Sequence, residues 1–261
     1  MFLYKMICIE DICYGDLLKR PSNICKTPYV ADVMVGGEPK LVHTPSLGCC
    51  GMIDVGTKCK MVLVRVGNQG KSSKQKCEYR LDFVETPDHT IVCVNPKMSE
   101  SLVEVALVNN MFPDIFGLNN LQYKREVTID GVGSRFDFGG VDESGVECVL
   151  EVKSVPLVLP DNISYFPDGY RKKKGAVVSP RALKHVQHLE QLVGEGYRSF
   201  LVFCVQRGDS EGFMLSEQDV TYREAVNKAQ HSGVMVLVMY FNWVVCGRDV
   251  HCDLERVEKL G

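Results

Sequence analysis

The chain lacks several features that would narrow its function at once. Its twelve cysteines include no Cys-x-x-Cys pair, and the adjacent Cys49 and Cys50 chelate poorly, so spacing gives no zinc site. No run of apolar residues reaches the length of a membrane-spanning helix, and no membrane role is expected. The opening "MFLYKMICIEDICYGDLL" is interrupted by Glu10, Asp11 and Asp16, which is wrong for a secretory signal. An intracellular protein is therefore expected, cytoplasmic or, in a eukaryote, nuclear, with its cysteines as reduced thiols. Tryptophan occurs once, at Trp243, which argues against a platform stacking many bases. Net charge is −3, so no bulk electrostatic pull toward nucleic acid exists, though a local basic patch can. There is no internal repeat.

What remains is an ordinary globular composition, 45% hydrophobic and 24% charged over 261 residues, enough for one large domain or two small ones. The first third reads as short strands: "YVADVMV", "PKLVHT", "KCKMVLVRV" and "CEYRLDFVE", separated by turn-rich segments such as "VGGEP" and "GNQGKSSKQK". Several short strands in so little chain predict a small barrel. "TPDH" at 86–89 predicts a boundary, giving domains at 1–86 and 87–261.

Beyond it the pattern changes. "SESLVEVALVNNM" reads as a helix with Ser99 as a cap-like start. "YKREVTIDG", "SRFDFGGV" and "VECVLEVKSV" read as three strands. "SPRALKHVQHLEQLVGEG" is a helix with Ser179 at the N-cap and Pro180 after it. A buried strand "RSFLVFCVQ", a helix "TYREAVNKAQHSG" and a buried strand "VMVLVMYF" follow. This order predicts an α/β domain with a mixed sheet. The tail after Trp243 is polar and yields no element.

Within the three strands, "SRFDFGGVDESGVECVLEVKSVPLV" carries charge where burial is expected. Glu151 and Lys153 share one face of a strand, because side chains alternate with period two. Asp137 lies on the preceding strand across a hairpin, so pairing brings it toward Glu151. Two converging carboxylates repel unless a cation neutralises them. Hard oxygen ligands suit Mg²⁺, with the Val152 carbonyl able to complete the sphere and Lys153 able to orient water or steady charge on a phosphate. A solvated Glu–Lys face is the alternative.

The segments "SRFDF", "EVKSVPLV", "YFPDG", "LKHVQHL" and "FCVQRGD", in this order, closely resemble the sugar fermentation stimulation protein family. "YVADV", "LVHTPSLG", "CVN" and "LVEVAL" resemble its earlier segments. The resemblance implies an α+β protein: an N-terminal OB-like barrel followed by a mixed sheet flanked by helices, of the PD-(D/E)xK restriction-endonuclease-like kind. It implies DNA binding and a nuclease dependent on Mg²⁺ or Mn²⁺, with Asp137, Glu151 and Lys153 at the family's catalytic positions. A non-catalytic DNA-binding or regulatory protein keeping the nuclease fold is the alternative, and no sugar site is evident. The chain departs from the family at Val105, where a helix Glu is usual; its neighbour Glu104 is then a candidate metal ligand. It departs again at Thr27 and at Ser46-Leu47-Gly48 in the barrel. Candidate nucleic-acid contacts are Arg181, Lys184 and His185 near a helix N-terminus, Gln206 and Arg207 at a strand end, and the inserted Lys172, Lys173 and Lys174. A duplex substrate would suit a homodimer.

Overall fold

A computed structural model describes residues 4–47, 49–66, 77–111, 118–167 and 177–261. The inserted lysines 172–174 and the whole of "GNQGKSSKQK" (67–76) lie outside the described residues. The chain divides into two compact units. Met1–Met98, Gln206–Ser210 and Phe241–Glu255 form one, and Ser99–Val205, Glu211–Tyr240 and Arg256–Gly261 the other. The expected break at 86/87 is a single cut, whereas these units interleave along the chain. Among the described residues, no helix is long and apolar enough to cross a membrane.

In the first unit, β2 (Ile12–Lys19), β3 (Val30–Val35), β4 (Glu38–His43), β5 (Lys60–Arg65) and β6 (Tyr79–Glu85) form a closed ring. β2 pairs with β3 and β5, β3 with β4, and β5 with β6, all antiparallel; β4 closes on β6 in parallel. This is the expected small barrel. β7 (Ile91–Cys93) extends it along β6. The β3–β4 hairpin turns through Gly36 and Gly37, both at positive φ (58° and 85°), as a tight two-residue hairpin requires. Inward residues Ala31, Val33, Val42, Met61, Leu63 and Leu81 fill the interior. Both ends of the chain add strands that sequence reading missed: β1 (Tyr4–Ile9) pairs antiparallel with β15 (Asp249–Lys259). The polar tail is thus a long strand. Its alternation of Val250, Cys252 and Leu254 inward with charged residues between is a period-two signal hidden by charge density.

In the second unit, β8 (Gln122–Thr128), β9 (Arg135–Val141), β10 (Glu147–Val155), β12 (Arg198–Val205) and the first half of β14 (Met235–Cys246) form the expected mixed sheet. The first three run antiparallel to one another, and the last two follow β10 in parallel. β11 (Ile163–Phe166) and β13 (Gly212–Leu215) pair in a separate small sheet. α2 (Pro180–Gly194) starts as expected, with Ser179 Oγ accepting from the Ala182 amide at 3.3 Å. α2 and α3 (Val220–His231) bury Val186, Leu189, Tyr222 and Val226 with Val149, Leu201 and Phe203 of the sheet. β9 approaches β8 so closely that a Cβ at Gly140 would stand 2.2 Å from the Gln122 carbonyl oxygen. α1 spans Pro96–Val108 and so starts before Ser99: the Asn95 carboxamide oxygen accepts from the Lys97 amide at 3.1 Å, and proline occupies the first turn.

Candidate active site

The register of β9 and β10 builds the site. Leu150 lies opposite Phe138, so one further step sets Glu151 against Asp137. The backbone ladder stops there, and the Asp137 side chain takes over: its Oδ2 accepts from the Val152 amide at 2.7 Å. The expected convergence of Asp137 and Glu151 is therefore observed. Burial first, and then the charge of Glu151, push the Asp137 carboxyl up to about 7, with Glu100 adding to the effect.

Glu151 is buried (3% exposed). Its Oε1 is bonded to both Lys153 Nζ and His185 Nδ1. Burial opposes its charge, but Lys153 and His185 together overcome this and hold the carboxyl below its ordinary value. Its Oε2 is buried and has no hydrogen-bond partner among the described residues. A buried carboxylate oxygen left bare costs free energy that only a donor or a cation recovers. The Tyr222 hydroxyl is likewise buried and unpartnered; burial first, and then Glu151 and Asp219, push its pKa well above the ordinary value.

The helix acids arrange themselves differently from expectation. Glu104 is half-buried and committed to β8, accepting from Tyr123 Oη at 3.1 Å and Arg125 Nη1 at 2.9 Å. Val105 is half-buried. The acid whose charge reaches Asp137 is Glu100, buried one turn earlier and ion-paired to Arg125 at 3.1 Å. Sequence reading misses Glu100, Arg125 and Tyr222. Glu100 shares a helix face with Glu104 at a spacing of four, which is the available signal.

His185 departs from its expected role as a phosphate contact. It is buried on the same stripe of α2 as Ala182, Val186 and Leu189, and faces Glu151. Arg181 and Lys184 are exposed on α2, and Lys184 Nζ donates to the Gly133 carbonyl at 3.0 Å. His188 meets Ser134 Oγ at 2.7 Å. Gln206 and Arg207 fall in the first unit. There the buried Gln206 accepts from Trp243 Nε1 at 3.0 Å, and Arg207 holds Asp209 through two bonds of 2.6 Å. Neither side chain is left loose as a rim residue, because each answers a local polar partner.

The family model described as the sugar fermentation stimulation protein RE domain matches residues 97–245. A sugar fermentation stimulation protein homolog from Pseudomonas putida is 32% identical over 226 residues, spanning 85% of this chain and 86% of its own. One from Pelagibacter ubique is 31% identical over 225 residues, spanning 85% and 87%. The fold also matches a solved structure of Pyrococcus furiosus SfsA in complex with Ca²⁺, at a TM-score of 0.78 and 17% identity, over 99% of this chain and 98% of that one.

Proposed function

The chain belongs to the sugar fermentation stimulation protein family, and on that premise we propose that it binds DNA and hydrolyses phosphodiester bonds with a divalent cation, Mg²⁺ or Mn²⁺. The observation that carries this reading is the bare, buried Glu151 Oε2 beside an Asp137 whose carboxyl is pushed to about 7. That donor set, all oxygen and with one buried carboxylate oxygen left without a partner among the described residues, fits a hard cation. The Ca²⁺ in the complex of Pyrococcus furiosus SfsA is of the same chemical class.

Asp137 and Glu151 would hold the cation, with the Val152 carbonyl and Glu100 as further oxygen donors; Glu104 is tied to Tyr123 and Arg125 instead. When bound, the cation supplies Lewis acidity toward a phosphodiester oxygen and the attacking water. The protein's own groups do the positioning. Val152 N–H fixes Asp137 from the backbone, and His185 fixes Glu151 from behind. Both fixings hold without a cation. Lys153, bonded to Glu151, can swing its ammonium to the water or to the charge that builds on phosphate. Arg181 and Lys184, exposed by the N-terminal turns of α2, supply phosphate contacts.

The test is incubation of the purified protein with labelled single- and double-stranded DNA in Mg²⁺, Mn²⁺ or EDTA, beside Asp137→Ala and Lys153→Ala. Metal-dependent cleavage lost in both variants supports the reading; cleavage unchanged in them sinks the site. One observation favours a second reading, a DNA-binding protein that does not cut: Val105 stands at the helix position where a ligand Glu is expected. Salt-sensitive binding with no cleavage would select it. Sedimentation with and without duplex tests the accompanying homodimer.

A further inference from the structure

A second cluster of ligating side chains lies in the first unit. β1 and β15 pair so that Cys8 stands directly opposite His251, on the same face of the pair. Asp249 is two residues before His251 on β15 and shares that face, since Val250 and Cys252 point inward. One ligand atom from each of Cys8, Asp249 and His251 lies within 4.8 Å of the other two. Bond lengths of about 2.0–2.3 Å put the ligands of a tetrahedral zinc site about 3.5 Å apart, so rotamer adjustment closes the set. Cys246 precedes the Gly247-Arg248 turn that leads into Asp249. Cys8 and Cys246 are both free, exposed thiols.

The surroundings hold the ligands in place. The Asp11 amide donates to Asp249 Oδ1 at 3.2 Å, leaving Oδ2 for another partner. Arg248, the nearest cation in sequence, is ion-paired to Asp11. The Ile12 amide donates to the Arg248 carbonyl at 2.8 Å, fixing the chain beside the cluster.

We propose that Cys8, Asp249 and His251 bind a borderline-soft divalent cation of the Zn²⁺ class. Thiolate and imidazole select such an ion over Mg²⁺, whereas the all-oxygen site of Asp137 and Glu151 selects the reverse. The site ties the N-terminal strand to the C-terminal hairpin. It escapes spacing rules because its ligands come from opposite ends of the chain, brought together by strand register.

The test uses the full chain, stripped of metal and reduced, with excess Mg²⁺ present to fill the other site. Zn²⁺ is titrated against a chromophoric chelator, and Co²⁺ is used as a spectroscopic probe. One Zn²⁺ per chain is expected, with a thiolate-to-Co²⁺ charge-transfer band. Changing only the groups that hydrogen-bond to metal ligands costs about 10–100-fold in affinity, so losing a ligand itself should cost more. Cys8→Ser and His251→Gln are expected to weaken Zn²⁺ by roughly 100-fold or more and to abolish or shift the band. Asp137→Asn should leave both readouts intact, which separates this site from the nuclease-like one. Cys8 is exposed, so Cys8→Ser should fold, and circular dichroism checks it. A charge-transfer band and Zn²⁺ affinity left unchanged by Cys8→Ser, or Zn²⁺ binding that Asp137→Asn removes, overturns the proposal.

Discussion

Each unit buries acids, and two of them, Asp82 and Glu151, are treated in opposite ways. Asp82, in the barrel unit, is fully buried. It receives Arg80 Nε at 2.6 Å, Arg80 Nη2 at 2.5 Å and Asn95 Nδ2 at 2.8 Å. Every demand of its charge is met by the chain itself. Glu151, in the nuclease-like unit, is buried almost as deeply, but its two partners crowd onto one oxygen and leave the other bare. A second acid, Asp137, faces it with its carboxyl pushed up. Burial alone therefore does not mark a functional acid. The mark is the lone pair for which the fold supplies nothing. Asp82 organises structure, whereas the Asp137–Glu151 pair holds unfavourable electrostatics that the proposed cation would relieve.

Three measurements break or sharpen this contrast. The largest effect is expected at Asp82. Removing one partner of an ion pair costs about 3–5 kcal/mol when the charge left behind is buried, so Arg80→Ala, which strands the buried Asp82, should lower unfolding stability by that amount in urea titrations. A loss under about 1 kcal/mol would mean that solvent already screens the pair.

The second effect has the opposite sign. Without metal, folded Asp137 keeps its proton up to about 7, while an unfolded aspartate releases it near 3.8. The folded state then binds more protons between these values. Its contribution to stability is full below the lower one and is lost as pH rises toward 7, at about 1.4 kcal/mol for each pH unit crossed. Asp137→Asn should remove this slope, and in EDTA at pH 8 it should be more stable than the parent. Added Mg²⁺ at 100 times its Kd should restore about 2.7 kcal/mol to the parent and little to the variant. Parallel stability–pH curves in EDTA would disprove the stored repulsion.

The smallest effect is expected at Tyr222, whose buried hydroxyl has no partner among the described residues. Tyr222→Phe deletes a desolvated group without opening a large cavity, so stability should change by under about 1 kcal/mol or rise. A larger loss, or weakened Mg²⁺ binding, would place that hydroxyl in the Glu151 network.

Much of this is legible in sequence where the signal is local. The hairpin holding Asp137 and Glu151 follows from period-two alternation, and α2 from Ser179 and Pro180. Other features depend on contacts remote in the chain. His185 looks like a surface residue near a helix start, yet its neighbours Ala182, Val186 and Leu189 put it on the buried face. The family's helix Glu position falls on 105 and passes over Glu100, while a helix turn makes 100 and 104 neighbours. The last strand escapes because charged residues on its outer face resemble a polar tail. The Cys8–His251 juxtaposition has no local signature at all; only the β1–β15 register creates it.

That same register has a consequence at the level of the gene. The strands β14 and β15 each run through both units, and Phe241–Glu255 completes the first. A stop codon soon after Tyr240 therefore does not trim a dispensable tail. It removes the partner of the N-terminal strand and the Trp243 ring that packs 4.8 Å from Phe83 in the barrel unit. Such truncations should behave as null alleles, and neither unit can be inherited, fused or expressed as a single uninterrupted stretch of coding sequence.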